Sequence, residues 1–215
     1  MMKAVVILSG GPDSVTLAYK AKSQGHQLYA ITFDYGQIAK KEIIYAKIIA
    51  EKLGMEQKIV DLSSLNDVFG STTALMDENI PMPSEFEPEI IVPFRNAIFL
   101  SVAVAYTQAV GANKILYGAQ GSDAPFYPDC RKEFFKAFQT AARKGTASQI
   151  EIDAPFHNMK KSEIIKLGAK LDVPYESTWS CYLNNERQCG VCESCRNRKK
   201  GFKEANIVDP TKYEE

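Results

Sequence analysis

The chain has 215 residues, 26 Lys and Arg against 26 Asp and Glu, and 45% hydrophobic residues. That length can bury one large core with at most a small appendage, and zero net charge argues against a protein that grips long nucleic acid, which needs surplus cations to neutralise phosphate. The longest apolar stretch, Ala97 to Tyr106, is too short for a bilayer, and Met1-Met2-Lys3 leads into a motif without a signal-cleavage pattern; we expect a cytoplasmic protein with small-molecule partners, no nucleic acid and no membrane.

Lys3 to Leu8 is a short β-branched run of the kind seen in buried parallel strands. After a turn at Ser9-Gly10-Gly11, Pro12 suits a first helical position, and Val15, Leu17, Ala18 and Ala21 carry a helix toward Gly25. Gln27 to Phe33 reads as a second strand. Ile38 to Leu53 reads as an amphipathic helix, with Ile44/Ile48 and Tyr45/Ile49/Leu53 at four-residue spacing and Gly54 to stop it. Gln57 to Val60 is a third strand. Residues 70–93 carry Pro81, Pro83, Pro88 and Pro93 among acidic residues without a period, so we expect a mobile flap over a site. Asn96 to Val110 is apolar nearly all round, which predicts a central, buried helix. Lys114 to Tyr117 and Gln149 to Asp153 read as strands, and Arg131 to Arg143 and Lys160 to Leu171 as helices. Strands alternating with helices predict an α/β fold, a doubly wound parallel five-stranded sheet. From Ser180 the composition turns to Cys, Asn, Gly and Arg, so we expect an α/β domain over 1–179 and a small C-terminal metal-binding module with its tail over 180–215.

Ser9-Gly10-Gly11-Pro12-Asp13-Ser14 is the strongest local signal. Two glycines permit a tight turn, the amides point toward the strand's carboxyl end, and the following helix adds the positive end of its dipole. With the hydroxyls of Ser9 and Ser14 this makes a cradle for pyrophosphate. It lacks the Lys of a Walker A loop and the glycine spacing of the dinucleotide fingerprint. We assign the stretch Leu8, Ser9, Gly10, Gly11, Pro12, Asp13, Ser14, Val15, Thr16, Leu17 and Ala18 to nucleotide binding.

Cys181-x7-Cys189-x2-Cys192-x2-Cys195 supplies four thiolates to one tetrahedral ion, which suits structural zinc; an iron–sulfur cluster is the main rival. Cys130, outside this set, is either a core thiol or part of a substrate pocket. Arg95 can clamp a phosphate or carboxylate, or form a surface salt bridge. Lys160 and Lys161 open a helix where a cation opposes the dipole, which suggests an anionic partner. His157 and His26 read as solvated or locally bonded.

The Ser-Gly-Gly-x-Asp-Ser loop resembles the PP-loop of the ATP pyrophosphatase (adenine nucleotide α-hydrolase-like, Rossmann-like) superfamily. That resemblance implies ATP cleavage between the α and β phosphates and AMP transfer to a substrate oxygen. Further segments narrow the field: Phe33-Asp34-Tyr35-Gly36-Gln37, Val92-Pro93-Phe94-Arg95-Asn96, Tyr127-Pro128-Asp129-Cys130-Arg131 and Ser180-Cys181-Tyr182 with its cysteines. Together they resemble the 7-cyano-7-deazaguanine synthases of queuosine biosynthesis over nearly the whole chain. The sequence departs from that pattern at Pro12, where members often have Gln, at Phe94, where they often have Gly, and between Gly118 and Phe126.

The resemblance implies conversion of 7-carboxy-7-deazaguanine and ammonia to the nitrile at the expense of ATP with Mg2+, one zinc per chain and a homodimer. On that footing Asp13, Ser14, Arg95 and Lys161 are candidate catalytic residues. A ring bearing N–H donors calls for a carboxylate acceptor, so Asp123 and Asp129 are candidate readers, with Tyr127 or Phe126 stacking on it. A tRNA-modifying, thiolase-like PP-loop enzyme and a non-catalytic zinc-stapled nucleotide-binding module are the alternatives.

Overall fold

The computed structural model describes residues 2–69 and 72–214. Its elements in chain order are β1 (Lys3–Ile7), α1 (Pro12–Ser23), β2 (Gln27–Asp34), α2 (Lys41–Leu53), β3 (Glu56–Asp61), α3 (Asn66–Phe69), α4 (Arg95–Ala109), β4 (Lys114–Leu116), α5 (Lys132–Thr146), β5 (Glu151–Asp153), α6 (Lys161–Lys170) and α7 (Glu193–Ala205). The strands form one sheet in the order β3-β2-β1-β4-β5, every pair parallel. Strand order reverses between β1 and β4, and at such a switch point the connections diverge and leave a crevice at the carboxyl edge.

Alternation along β1 distributes the core. Ala4, Val6 and Leu8 face a cluster shared with α1, α2, α6 and α7, while Val5 faces the opposite cluster under α4 and α5. Both faces are covered, which is why β1 reads as a continuous apolar run.

Two helices differ from expectation. The α4 helix buries only the stripe Ala97, Leu100, Ala103, Val104 and Thr107, and Ser101, Ala105 and Gln108 are exposed. It is an outer layer over one sheet face, so Ile98, Phe99, Val102 and Tyr106 pack against the core only in part. The apolar stretch Pro88–Ala109 is broken at Phe94, in the left-handed region, and the helix proper has 15 residues, fewer than the about 20 a bilayer crossing needs. On α2 the buried face is Ala46, Ile49 and Ala50, and Ile44 is 56% exposed.

In the segment expected to be a mobile flap, residues 72–93 carry anchoring contacts. Gly70 and Ser71, at its start, lie outside the described residues. Beyond them, Ile38 N donates to Leu75 O (2.9 Å), Ala74 N to Glu89 O (2.8 Å) and Glu193 N to Pro83 O (3.1 Å). Leu75, Ile90 and Val92 are buried. Its apolar residues lack a period because they pack into the core singly, as loop anchors.

The C-terminal segment forms the helix α7, whose Phe202 and Ala205 enter the same cluster as Leu116 and Ile164. Arg198, also on α7, is wholly buried. Its guanidinium donates to both carboxylate oxygens of Asp209 (3.1–3.2 Å), to Thr178 Oγ1 (2.7 Å) and to Tyr175 O (2.9 Å), and it stacks on Phe202. Burial would raise the Asp209 carboxyl, but Arg198 and the donors around it outweigh burial and hold it below the usual carboxylate range. Arg198→Ala is expected to cost about 3–5 kcal/mol at neutral pH, because it leaves Asp209 and two backbone-anchored acceptors without their donor. Denaturant unfolding checks this, and the deficit should shrink as pH falls through the depressed Asp209 value and the carboxylate is lost.

Candidate active site

The loop after β1 is held by its own hydrogen bonds. Ser9 N donates to Ser14 Oγ (3.2 Å), the two hydroxyls share a hydrogen bond (3.0 Å), and Ser14 Oγ donates to Gly11 O (3.1 Å). Gly10 adopts φ +84°, and a Cβ there would lie 2.3 Å from Glu42 O, so only glycine lets the loop rest on the backbone of α2. Gly118, at the end of β4, closes the other side: a Cβ would lie 3.3 Å from Ser14 N. The first-turn amides of α1 have no earlier helical carbonyl to bond and point at this gap.

Leu8, Val15, Leu17 and Ala18, counted above with the nucleotide stretch, are at most 1% exposed and pack in the core. Thr16 is equally buried and shares a hydrogen bond with Tyr175 OH (3.2 Å). These five side chains seat the loop and do not line the crevice; Ser9, Gly11, Pro12, Asp13 and Ser14 do.

Two cavities meet above the loop. The loop-side cavity, about 260 Å³, continues past Glu42, Gly118 and Trp179; the outer cavity, about 360 Å³, is walled by Val92, Phe94, Tyr127 and Phe134. Asp13, Arg95, Asn96, Asp123 and Lys161 line both. All four candidate catalytic residues thus lie at or beside this junction, although they come from three separate helices. Lys161, and not Lys160, reaches inward and pairs with Asp13 Oδ2. Asp13 Oδ1 is buried with no partner among the described residues, the kind of orphan carboxylate oxygen a hard cation would satisfy.

Arg95 is held by the turn after β2. Gln37 bonds the backbone of Tyr35 and Phe33, Gly36 N donates to Asp34 Oδ1 (3.1 Å), and Tyr35 OH accepts from Arg95 Nη1 (3.1 Å). The guanidinium stacks over Tyr35 and Phe99. Among the described residues no carboxylate lies within ion-pair distance of it, so the surface salt bridge is not formed and the fork faces the junction. Phe94, just before it, has φ 57° and sits edge-on to Phe134. A left-handed phenylalanine costs about 1–2 kcal/mol relative to an ordinary conformation; glycine would not incur it.

The other candidates separate. Asp123 lies at the junction, accepts from Gln120 Nε2 (3.1 Å), and is raised to about 7 by burial and then by neighbouring Asp13. Asp129 lines the outer cavity, but its Oδ2 accepts from Asn96 N (3.1 Å) and so caps α4. Tyr127 lines that cavity, whereas Phe126 is 48% exposed and packs on Phe86 at 4.3 Å. Cys130 belongs to the core cluster and also touches both cavities. Burial, with Asp123 and Asp129 adding to it, pushes its thiol far up, so it stays protonated and is no nucleophile. His157 is bonded locally, its Nδ1 to Ala154 O at 2.8 Å.

Tyr182, Glu193 and Asn197 also line the outer cavity; no motif reading of the sequence singles out the last two. They flank the cysteine cluster, whose four buried sulfurs lie within 4.8 Å of one another and could hold one metal ion. Backbone amides already point at them: Leu183 N and Cys189 N at Cys181 Sγ (3.4 Å each), and Cys192 N at Cys189 Sγ (3.3 Å). Such N–H···S bonds favour thiolate ligands over thiols.

Glu42 faces the loop-side cavity, and burial, only partly opposed by Arg95, raises it to about 7. Its folded value lies above the unfolded one, so stability is lost as pH rises between about 4.5 and 7. Glu42→Gln is expected to add about 1–3 kcal/mol to the unfolding free energy at pH 8 and almost nothing near pH 4.5. Urea unfolding at both pH values is the measurement.

Comparison with solved structures shows the fold. The chain superposes on an NMN synthetase from Francisella tularensis with TM-score 0.55 and 18% identity (96% of this chain, 78% of that one). It superposes on an NH3-dependent NAD synthetase from Campylobacter jejuni with TM-score 0.53 and 18% identity (82% and 66%). Sequence relatives are far nearer. A 7-cyano-7-deazaguanine synthase of Caldicellulosiruptor bescii is 42% identical over 99% of this chain and 98% of its own length. One from Clostridium kluyveri is 45% identical over 99% and 98%. Residues 3–206 match the family described as queuosine biosynthesis protein QueC. With its loop, its cysteines and almost its full length accounted for, the chain belongs to the QueC family.

Proposed function

We propose that this protein is an ATP-dependent, cytoplasmic 7-cyano-7-deazaguanine synthase that converts 7-carboxy-7-deazaguanine and free ammonia to the nitrile. The observation that carries the reading is the junction: a pyrophosphate cradle and a planar-walled outer cavity share Asp13, Arg95, Asn96, Asp123 and Lys161. A reaction that joins a nucleotide phosphate to an acid needs two chambers opening onto one point. The dimeric state is carried by the family resemblance.

The chemistry sets the order of steps. Ammonia does not displace an oxide from a carboxylate, so the carboxylate oxygen first attacks the α-phosphate and pyrophosphate leaves. Ammonia then adds to the acyl carbon and AMP departs, giving the amide. The amide oxygen then attacks the α-phosphate of a second ATP with release of pyrophosphate, and AMP leaves carrying that oxygen while the nitrogen gives up its two protons, which gives the nitrile. In this scheme the loop amides hold the departing pyrophosphate, and Lys161 balances charge growing on the phosphate. Arg95 orients the acid, since its fork matches a carboxylate and no carboxylate of the described chain occupies it. Asp13 would hold Mg2+ through its orphan oxygen; that ion supplies charge neutralisation at the phosphates.

The test is incubation with ATP, ammonium and the free acid, without RNA, followed by mass spectrometry. The nitrile should form by way of the amide, and supplied amide should turn over only with ATP. Lys161→Ala should lower kcat by about 10²–10³-fold in a folded protein. An inert free acid beside modified transfer RNA would transfer the assignment to the thiolase-like alternative.

For the cysteine cluster we propose zinc, one ion per chain, in a closed structural site of Cys181, Cys189, Cys192 and Cys195. Support comes from the all-thiolate set and its amide donors. Elemental analysis should find about one zinc per chain, and Cys192→Ser should lose it and lower the melting temperature by about 5–10 °C. A brown, iron-containing protein would instead identify an iron–sulfur cluster.

A further inference from the structure

The outer cavity has two chemically different ends. One is the junction with the nucleotide side. At the other, Glu193 and Asn197 line the outer cavity and an adjoining surface groove, which Asp123 and Lys161 also reach but Asp13, Arg95 and Asn96 do not, and neither Glu193 nor Asn197 lines the loop-side cavity. Val92, Phe94, Tyr127 and Phe134 supply walls suited to a flat ring.

Glu193 is the first residue of α7, directly after Cys192, and its amide donates to Pro83 O (3.1 Å). Its carboxylate is aimed by two side chains: Tyr182 OH donates to Oε2 (3.1 Å) and Asn197 Nδ2 to Oε1. A carboxylate offers about four lone-pair sites. One on each oxygen is used, which leaves one on each for an incoming ligand. A carboxylate so held matches two adjacent, parallel N–H groups. Gln120 adds to the surplus of acceptors in this cavity. It is 5% exposed, its Nε2 donates to Asp123, and its Oε1 is buried without a partner among the described residues.

Guanine-type rings carry N1–H and the 2-amino group side by side on the six-membered ring. That edge lies opposite the five-membered ring, which bears the C7 substituent. We propose that Glu193 is the specificity-determining residue of this site, reading the N1–H and 2-amino edge of the ring while the C7 carboxylate points toward Arg95. Asn197 and Tyr182 are its positioning residues. The inference rests on the synthase reading and adds how that site selects its base. Asp129, occupied in capping α4, is left out of the reading role, and Asp123 reaches into the loop-side cavity, which Glu193 does not. The cysteine knuckle then also sets the register of the residue that chooses the substrate.

The experiment uses the full-length, zinc-loaded protein. 7-Carboxy-7-deazaguanine and its analogue lacking the 2-amino group are compared by calorimetric titration and by turnover. The wild type is expected to bind the guanine-type acid at least about ten-fold more tightly than the analogue. Glu193→Gln is expected to raise Kd and KM for the guanine-type acid about 10–100-fold, to leave kcat within about three-fold and to erase the preference, at unchanged zinc content. Equal wild-type affinity for the two acids overturns the proposal whatever the variant does, and so does a Glu193→Gln protein that keeps the preference. Turnover of neither acid by the wild type removes the synthase reading and this inference together, whereas turnover without preference removes the inference alone.

Discussion

The structure depends on one strap, residues 175–181, that ties the nucleotide loop to the cysteine cluster. Trp179 N donates to Gly10 O (2.9 Å), and Trp179 Nε1 donates to Cys181 O (2.8 Å). Gln188 bonds Ser180 N and Thr178 O, and buried Arg198 grips Tyr175 O and Thr178 Oγ1. These are buried polar groups, each costly to leave unpaired. The loop, the strap and α7 are therefore linked by continuous buried hydrogen bonds.

That coupling gives the C-terminal segment two tasks. A set of four cysteines that could hold a metal ion needs little core of its own, since such an ion would supply binding energy in place of buried area. The helix that follows is freed to present Glu193, Ser194 and Asn197 to the cavity on one face while Phe202 and Ala205 join the main core on another. The site is thus composite: β1 and β4 contribute the cradle, the turn after β2 holds Arg95, and the end of the chain contributes the far wall.

Electrostatically the crevice gathers more carboxylates than cations. Asp13, Glu42, Asp123 and Glu193 face it, against Lys161 and Arg95. Burial raises Glu42 and Asp123 to about 7 and moves Glu193 upward as well, so the protein side of the crevice offers acceptors whose charge is poorly compensated. Ligands bearing N–H donors, and a cation accompanying phosphate, are what such a surface lacks.

Much of this was legible along the chain. The strand–loop–helix order, the Ser9 to Ser14 turn and the cysteine spacing are contiguous signals, fixed by local conformational preference and by the reach of one turn, and so the sequence by itself determined the sheet, its Ser-Gly-Gly loop and a four-cysteine cluster that could hold a metal ion. What only the tertiary structure decided are pairings between residues far apart in the chain. Lys161 meets Asp13 across 148 positions, Asn96 N finds Asp129, Tyr182 and Asn197 aim Glu193, and Arg198 is buried by a tail that carries Asp209. The one-sided burial of α4 and the anchoring of residues 72–93 belong here too, because hydrophobicity marks which residues can be buried but not which layer will cover them. A charged side chain reads identically in a sequence whether it faces water or a partner, and only the folded neighbours supply the difference.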